Sequence, residues 1–85
     1  MQILTTEPFD RDFSALPEHL RVLAKRKLRL FYRDPRHPSL RVKKMQDPRD
    51  IWEARITRSY RFTFQRKGDT VVLRRIGTHD ILRRP

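Results

Sequence analysis

Between Trp52 and Gln65 apolar and polar residues alternate twice. Trp52, Ala54 and Ile56 alternate with Glu53, Arg55 and Thr57, and Tyr60, Phe62 and Phe64 alternate with Arg61, Thr63 and Gln65. A period of two marks strands with one face against a core. Lys67-Gly68-Asp69 predicts a tight hairpin turn, followed by a last strand over Thr70–Ile76 that turns at Gly77. The apolar middle of that strand, Val71-Val72-Leu73, leaves open whether Arg74 or Arg75 points outward. Leu40 and Val42, alternating with Arg41 and Lys43, predict a further strand over Leu40–Met45, with a turn at Asp47-Pro48. If Ile56 and Phe62 face the core together, Thr57 pairs with Arg61 and Arg55 with Thr63 across an Arg58-Ser59-Tyr60 loop. The opposite parity would bury the Arg61 guanidinium beside Ile56.

The N-terminal half changes period. Gln2–Thr5 reads as a short strand, and Asp10 as the cap of a short helix carrying Phe13 and Leu16. Pro17 suits the first turn of a second helix, EHLRVLAKRKLRLFYRD, because its missing N–H is not needed there. Leu20, Leu23, Ala24, Leu28 and Phe31 share one face of that helix, while Arg21, Lys25, Arg26 and Arg29 share the other. Pro35 and Pro38 end it. The order β, α, α and then four antiparallel strands predicts one α+β domain spanning residues 1–85. Its two N-terminal helices pack on one face of a small antiparallel sheet. The other face is expected to stay open and to present Glu53, Arg55, Thr57, Arg61 and Thr63.

Charge adds a partner class. The chain has 85 residues and a net charge of +11. Its first twenty residues hold four acidic groups against one basic. The remaining twenty basic and six acidic groups give +14. So concentrated an excess attracts polyanions, nucleic acid first and acidic protein next. There is no cysteine, which excludes disulfides and cysteine-bound zinc. No histidine–carboxylate spacing suggests a metal, and no glycine-rich loop suggests a nucleotide cofactor. Neither a membrane-length apolar run nor a signal-peptide pattern is visible, so a soluble cytoplasmic protein is expected.

The ordered set HPSLRVKKM, DIWEARIT, YRFTF, a hairpin and LRRIGTHDIL resembles the RelE/ParE superfamily of toxins from type II toxin–antitoxin modules. With the helical pair before it, the resemblance covers nearly the whole chain. It implies a small sheet with two N-terminal helices, no cofactor and no metal, and an antitoxin protein as partner. RelE-like members, among them the YoeB and YafQ types, cut mRNA in the ribosomal A site. ParE-like members inhibit DNA gyrase by binding it. The resemblance therefore implies a ribosome-dependent endoribonuclease, with gyrase inhibition as the alternative.

By position, Arg61 matches an arginine used on the scissile phosphate, and Arg55 a basic or histidine position on the preceding strand. Arg75 matches the arginine before the turn in YafQ-like members, and His79 their C-terminal catalytic histidine. His37 matches another of their functional histidines. Lys43 and Lys44 are expected to contact mRNA or rRNA. No aromatic residue follows Phe64, so stacking on a base falls to Tyr60. The residue types suit the reaction. RNA is cut when its 2′-OH attacks the adjacent phosphorus, which needs proton transfer and cations on the crowded phosphate. Arginine binds two phosphate oxygens in a planar fork, and histidine moves protons near neutral pH. Each site also has a structural reading. Arg61 could be a solvated sheet residue, His79 a polar residue held by Asp80, and His37 a loop residue fixed by Pro38. Glu53 reads best as the partner of Arg55 or Lys43, and His19 as a surface residue.

Overall fold

A computed structural model describes all residues, 1–85. Five strands form one sheet: β1 (Gln2–Thr5), β2 (Lys43–Lys44), β3 (Ile51–Arg55), β4 (Tyr60–Lys67) and β5 (Thr70–Thr78), in the order β1-β5-β4-β3-β2. The last four are antiparallel, as expected. β1 adds a parallel partner to β5, pairing Gln2 with Thr70 through Thr5 with Leu73, which makes the sheet mixed. Two helices, α1 (Glu7–Ala15) and α2 (Glu18–Arg33), carry the chain from β1 to the opposite edge.

The cap of α1 is Thr6, not Asp10. The Thr6 hydroxyl oxygen accepts from Phe9 N at 3.3 Å and donates to the carbonyls of Leu73 and Arg74. One side chain thus starts the helix and fastens it to β5. Asp10 lies inside the first turn, where a carboxylate favours the helix dipole. Helix α2 follows Pro17 and buries Leu20, Ala24 and Phe31. Phe31 meets Phe62 edge-on at 5.3 Å and Phe64 at 4.9 Å. These rings, with Leu40, Ala54, Val71, Leu73 and Ile76, form the core between helices and sheet.

Two strand expectations are corrected. Leu40–Met45 is not one strand. Pro38–Leu40 forms a 3-10 turn that drives Leu40 into the core, and Arg41 takes a left-handed conformation (φ 46°). Only Lys43 and Lys44 remain to pair with β3. The β3–β4 register is two residues tighter than expected: Arg55 lies opposite Arg61, and Ala54 opposite Phe62. The loop is Thr57-Arg58-Ser59, because the Thr57 hydroxyl accepts from Ser59 N and Tyr60 N. A shift of two keeps the parity, so every side chain stays on its expected face.

The β5 ambiguity is resolved by a bulge. Thr63 pairs with Arg75 and Phe64 with Leu73, which leaves Arg74 as the extra residue. The outer face is not open along its length. After Thr78 the chain makes a 3-10 turn (His79–Arg83) and folds back across the sheet, burying Ile81 and Pro85. Thr63 Oγ1 donates to Pro85 O at 3.1 Å, and Thr63, Ile51 and Glu53 are buried there. Gly77 lies inside β5 and makes no turn. A Cβ on it would stand 2.9 Å from the Ile81 side chain, so glycine is what lets the returning segment sit down.

Candidate functional site

The register builds rows across the outer face. Arg61 of β4 lies between Arg55 of β3 and Gly77 of β5. Arg41 lies before β2 and outside its pairing with β3, two residues ahead of Lys43, whose partner is Glu53. The next row runs Lys43, Glu53, Thr63, Arg75. Like charges directly opposite each other destabilise a sheet, so the Arg55–Arg61 pair needs a compensating anion. Glu53 is the protein's own contribution. Its Oε1 lies 3.8 Å from Arg61 Nε, both side chains being largely buried. Glu53 therefore pairs with Arg61, where Arg55 or Lys43 was expected.

Arg61 is held from behind. Its Nη1 donates to the carbonyls of Thr57 (2.6 Å), Arg58 (3.0 Å) and Tyr60 (3.2 Å). The residue that fastens the β3–β4 loop thus also sets the position of the guanidinium. Burial, and then the charge of Arg55, push Arg61 below the ordinary arginine value. Glu53 opposes this and Arg41 adds to it. An arginine remains charged under such pressure, so the row holds concentrated positive charge that an incoming anion would relieve. Arg55 is half-buried and makes neither a hydrogen bond nor an ion pair with the protein's side chains.

His79 stands at the same end. Thr78, the residue before it, pairs with Tyr60, the residue before Arg61. The His79 side chain is exposed at the start of the terminal turn, and Asp80 does not hold it. The hydrogen bond in this turn runs from Asp80 N to the Thr78 hydroxyl. His79, Arg61 and Arg55 therefore share one end of the sheet, with Lys43 in the next row.

The other expected site residues lie elsewhere. The Arg75 guanidinium grips Asp12 of α1 at 2.5 and 3.2 Å, and Asp12 also accepts from Ile76 N. This carboxylate pair raises Arg75 above the ordinary arginine value and turns it away from Arg61. Lys44 is paired with Asp50 at 2.9 Å. Tyr60 is on the helix-facing side with Phe62 and Phe64 and packs against the core, so its ring is not beside Arg61 for stacking. His37 lies by the 3-10 turn before β2, where its Nδ1 accepts from Ser39 N at 3.1 Å. Arg41 was not singled out from the sequence. Its signal was visible only as one more cation in LRVKK, since its charge is felt by Arg61 only in the folded chain. No group of histidines and carboxylates is arranged to hold a metal ion, and no helix is long and apolar enough to cross a membrane.

Neither a protein-family model nor a curated protein matches the sequence. Solved structures do match the fold. The chain is similar to YafQ from E. coli strain BL21(DE3), with a TM-score of 0.78 at 14% identity, covering 95% of this chain and 96% of that one. It is similar to a YoeB/ParE toxin from Agrobacterium tumefaciens, with a TM-score of 0.74 at 16% identity, covering 93% and 99%. A chain of the RelB–RelE antitoxin–toxin complex from Methanococcus jannaschii matches with a TM-score of 0.75 at 21% identity over 95% of each chain. The fold is that of the RelE/ParE-superfamily toxins.

Proposed function

We propose that this protein is the toxin of a type II toxin–antitoxin module and acts as a metal-independent, ribosome-dependent mRNA endonuclease. One observation carries the reading: Arg55 and Arg61 face each other across β3 and β4 at the end of the sheet where His79 emerges. The two guanidinium groups take the non-bridging oxygens of the scissile phosphate. The 2′-OH of the preceding nucleotide attacks phosphorus and gives up its proton, and the bond to the 5′-oxygen breaks. The product is a 2′,3′-cyclic phosphate and a 5′-hydroxyl. His79 carries a proton in this exchange, and Arg41 and Lys43 guide the flanking backbone. A positioned donor of this kind contributes roughly 3–4 kcal/mol, and acid–base help about 10²–10⁴-fold.

Arg61 has a double duty. Its carbonyl contacts restrain the guanidinium before RNA arrives, which lowers the entropy lost on binding phosphate. Arg75 contributes to the same end of the sheet only indirectly, by holding α1 against β5. Support for a protein partner comes from the similar structures described as antitoxin complexes, RelB–RelE and DinJ–YafQ. The cationic outer face of α2, with Lys25, Arg26, Arg29 and Arg33, suits an acidic segment of such a partner.

The test is to map mRNA 5′ ends in a reconstituted translation reaction, with wild type, His79→Ala and Arg61→Lys. Wild type should give new cuts within the A-site codon in the presence of chelator, and both variants should lose them by about 10²-fold or more. Intact mRNA with wild-type protein, together with arrest of DNA synthesis ahead of protein synthesis in cells, would establish the gyrase-inhibitor reading instead.

A further inference from the structure

A concavity lies on the helix-facing side of the sheet, and His79 is not among its lining residues. It is a cleft of about 380 Å³ between the end of α2, the Pro35–Val42 segment and the strands. Buried Phe31, Phe64 and Val71 form its floor, and Trp52 and Val42 its wall. The Trp52 ring is stacked on Phe64 (16° between planes, centroids 6.4 Å apart) and remains partly exposed. The rim is cationic: Arg36, Arg41 and Arg66 line it together with His37, and no carboxylate does.

The His37 tautomer is fixed by its neighbour. Ser39 N–H only donates, so Nδ1 accepts and the ring proton sits on Nε2 as a free donor. Lys27 Nζ donates to Ser39 Oγ at 3.1 Å, which holds that hydroxyl and hence the ring. A small apolar cleft with aromatic walls and a rim of donors without acceptors selects a flat, partly apolar group carrying negative charge. Its volume suits one such group.

Arg41, in a left-handed conformation where the 3-10 turn ends, lines the cleft, and its charge is also felt by Arg61 on the outer face.

We propose that the cleft is a nucleotide subsite: it holds one base of the RNA against Trp52, with the adjoining phosphate on Arg36 and Arg66. This rests on the nuclease reading and adds a base-recognition element to it. An acidic peptide with an apolar side chain is the rival occupant. The aromatic wall and the wholly cationic rim together favour RNA, because a nucleotide supplies a flat ring for the one and a phosphate for the other.

Trp52 is the chain's one tryptophan, so its emission reports the cleft directly. The full chain is titrated with the four ribonucleoside 5′-monophosphates and with ribose 5-phosphate. The proposal expects saturable quenching by nucleotides, differing among bases, and none by ribose 5-phosphate. Arg36→Ala and Arg66→Ala, both at exposed positions, should each weaken nucleotide binding about tenfold. His79→Ala should leave the titration unchanged. This separates the subsite from the nuclease reading, which is judged by cleavage and not by Trp52 emission. Equal quenching by ribose 5-phosphate overturns the proposal, as does no response to any nucleotide. A response only to a glutamate-rich peptide containing leucine also overturns it and assigns the cleft to a protein partner.

Discussion

Along the outer face of the sheet, arginines at the two ends have different neighbours. One row from Arg61, Arg75 grips Asp12; toward the other end, Arg49 grips Asp47 at 2.8 Å, and Arg74 donates to Gln65 and to Pro85 O. At the near end Arg55 and Arg61 face each other with one carboxylate between them: Glu53 lies 3.8 Å from Arg61, which otherwise donates only to carbonyls of its own loop, and Arg55 has no side-chain partner. The same side chain thus serves two purposes. Where a partner from another segment satisfies it, as Asp12 does Arg75, an arginine holds elements of the fold together. Where like charges are held side by side with too little compensation, the fold keeps a place for an anion. In a chain of this composition the residue type alone says little about role, and the partner decides it.

Breaking the near end should give the largest effect. Arg55→Ala is expected to lower A-site cleavage by about 10²–10³-fold, the usual cost of one transition-state donor. Its melting temperature should stay equal to wild type or rise slightly, because a like-charge contact with Arg61 is relieved. Wild-type cleavage by this variant would remove the distinction between the two ends.

Breaking the matched Asp12–Arg75 contact should do the opposite. Asp12→Ala leaves the Arg75 guanidinium with only the Arg84 carbonyl and removes the acceptor for Ile76 N. A loss of about 1–3 kcal/mol is expected from denaturant midpoints, since the pair is only partly shielded from water. The double variant Asp12→Ala/Arg75→Ala should lose less than the two single losses combined, showing that the groups are coupled. An unchanged midpoint for Asp12→Ala would mean that the contact does not hold α1 to β5.

The smallest effect belongs to the Asp47–Arg49 pair, whose arginine is exposed. The hydrogen bonds from Arg49 hold Asp47 at about 2, down from 3.8. A carboxylate with a lowered folded-state value contributes stability that is fully present above its unfolded value. That contribution is lost as pH falls through the folded one. Any stability difference between wild type and Asp47→Asn should therefore be present above about pH 4 and vanish toward pH 2. A difference that persists at pH 2, in midpoints measured across that range, would show that charge is not its origin.

The sheet was readable because burial enforces parity. Ala54, Phe62 and Phe64 face the helices whichever even register is used, so a two-residue error in pairing cost no side chain its face. The register itself was set by the Thr57 hydroxyl inside the loop, a contact that alternation does not encode. The helix cap was missed for a related reason. Thr6 caps α1 while bonding the carbonyls of Leu73 and Arg74, far along the chain. Arg55, Arg61 and His79 were singled out from their order in the chain, and the structure places them at one end. Arg75 had the same apparent claim and lost it to Asp12.

From the order of its residues alone, this chain determined two helices, a hairpin sheet, the face each strand buries and the excess of positive charge. These follow from local periodicity and composition, which act within a few residues. Which arginines are matched and which are left facing one another was decided by tertiary structure. Asp12 and Arg75 meet across 63 positions of sequence, and Ile81 returns onto Gly77. An ion pair's partner is chosen by distance in space, and that distance exists only once the helices and the returning tail have packed against the sheet.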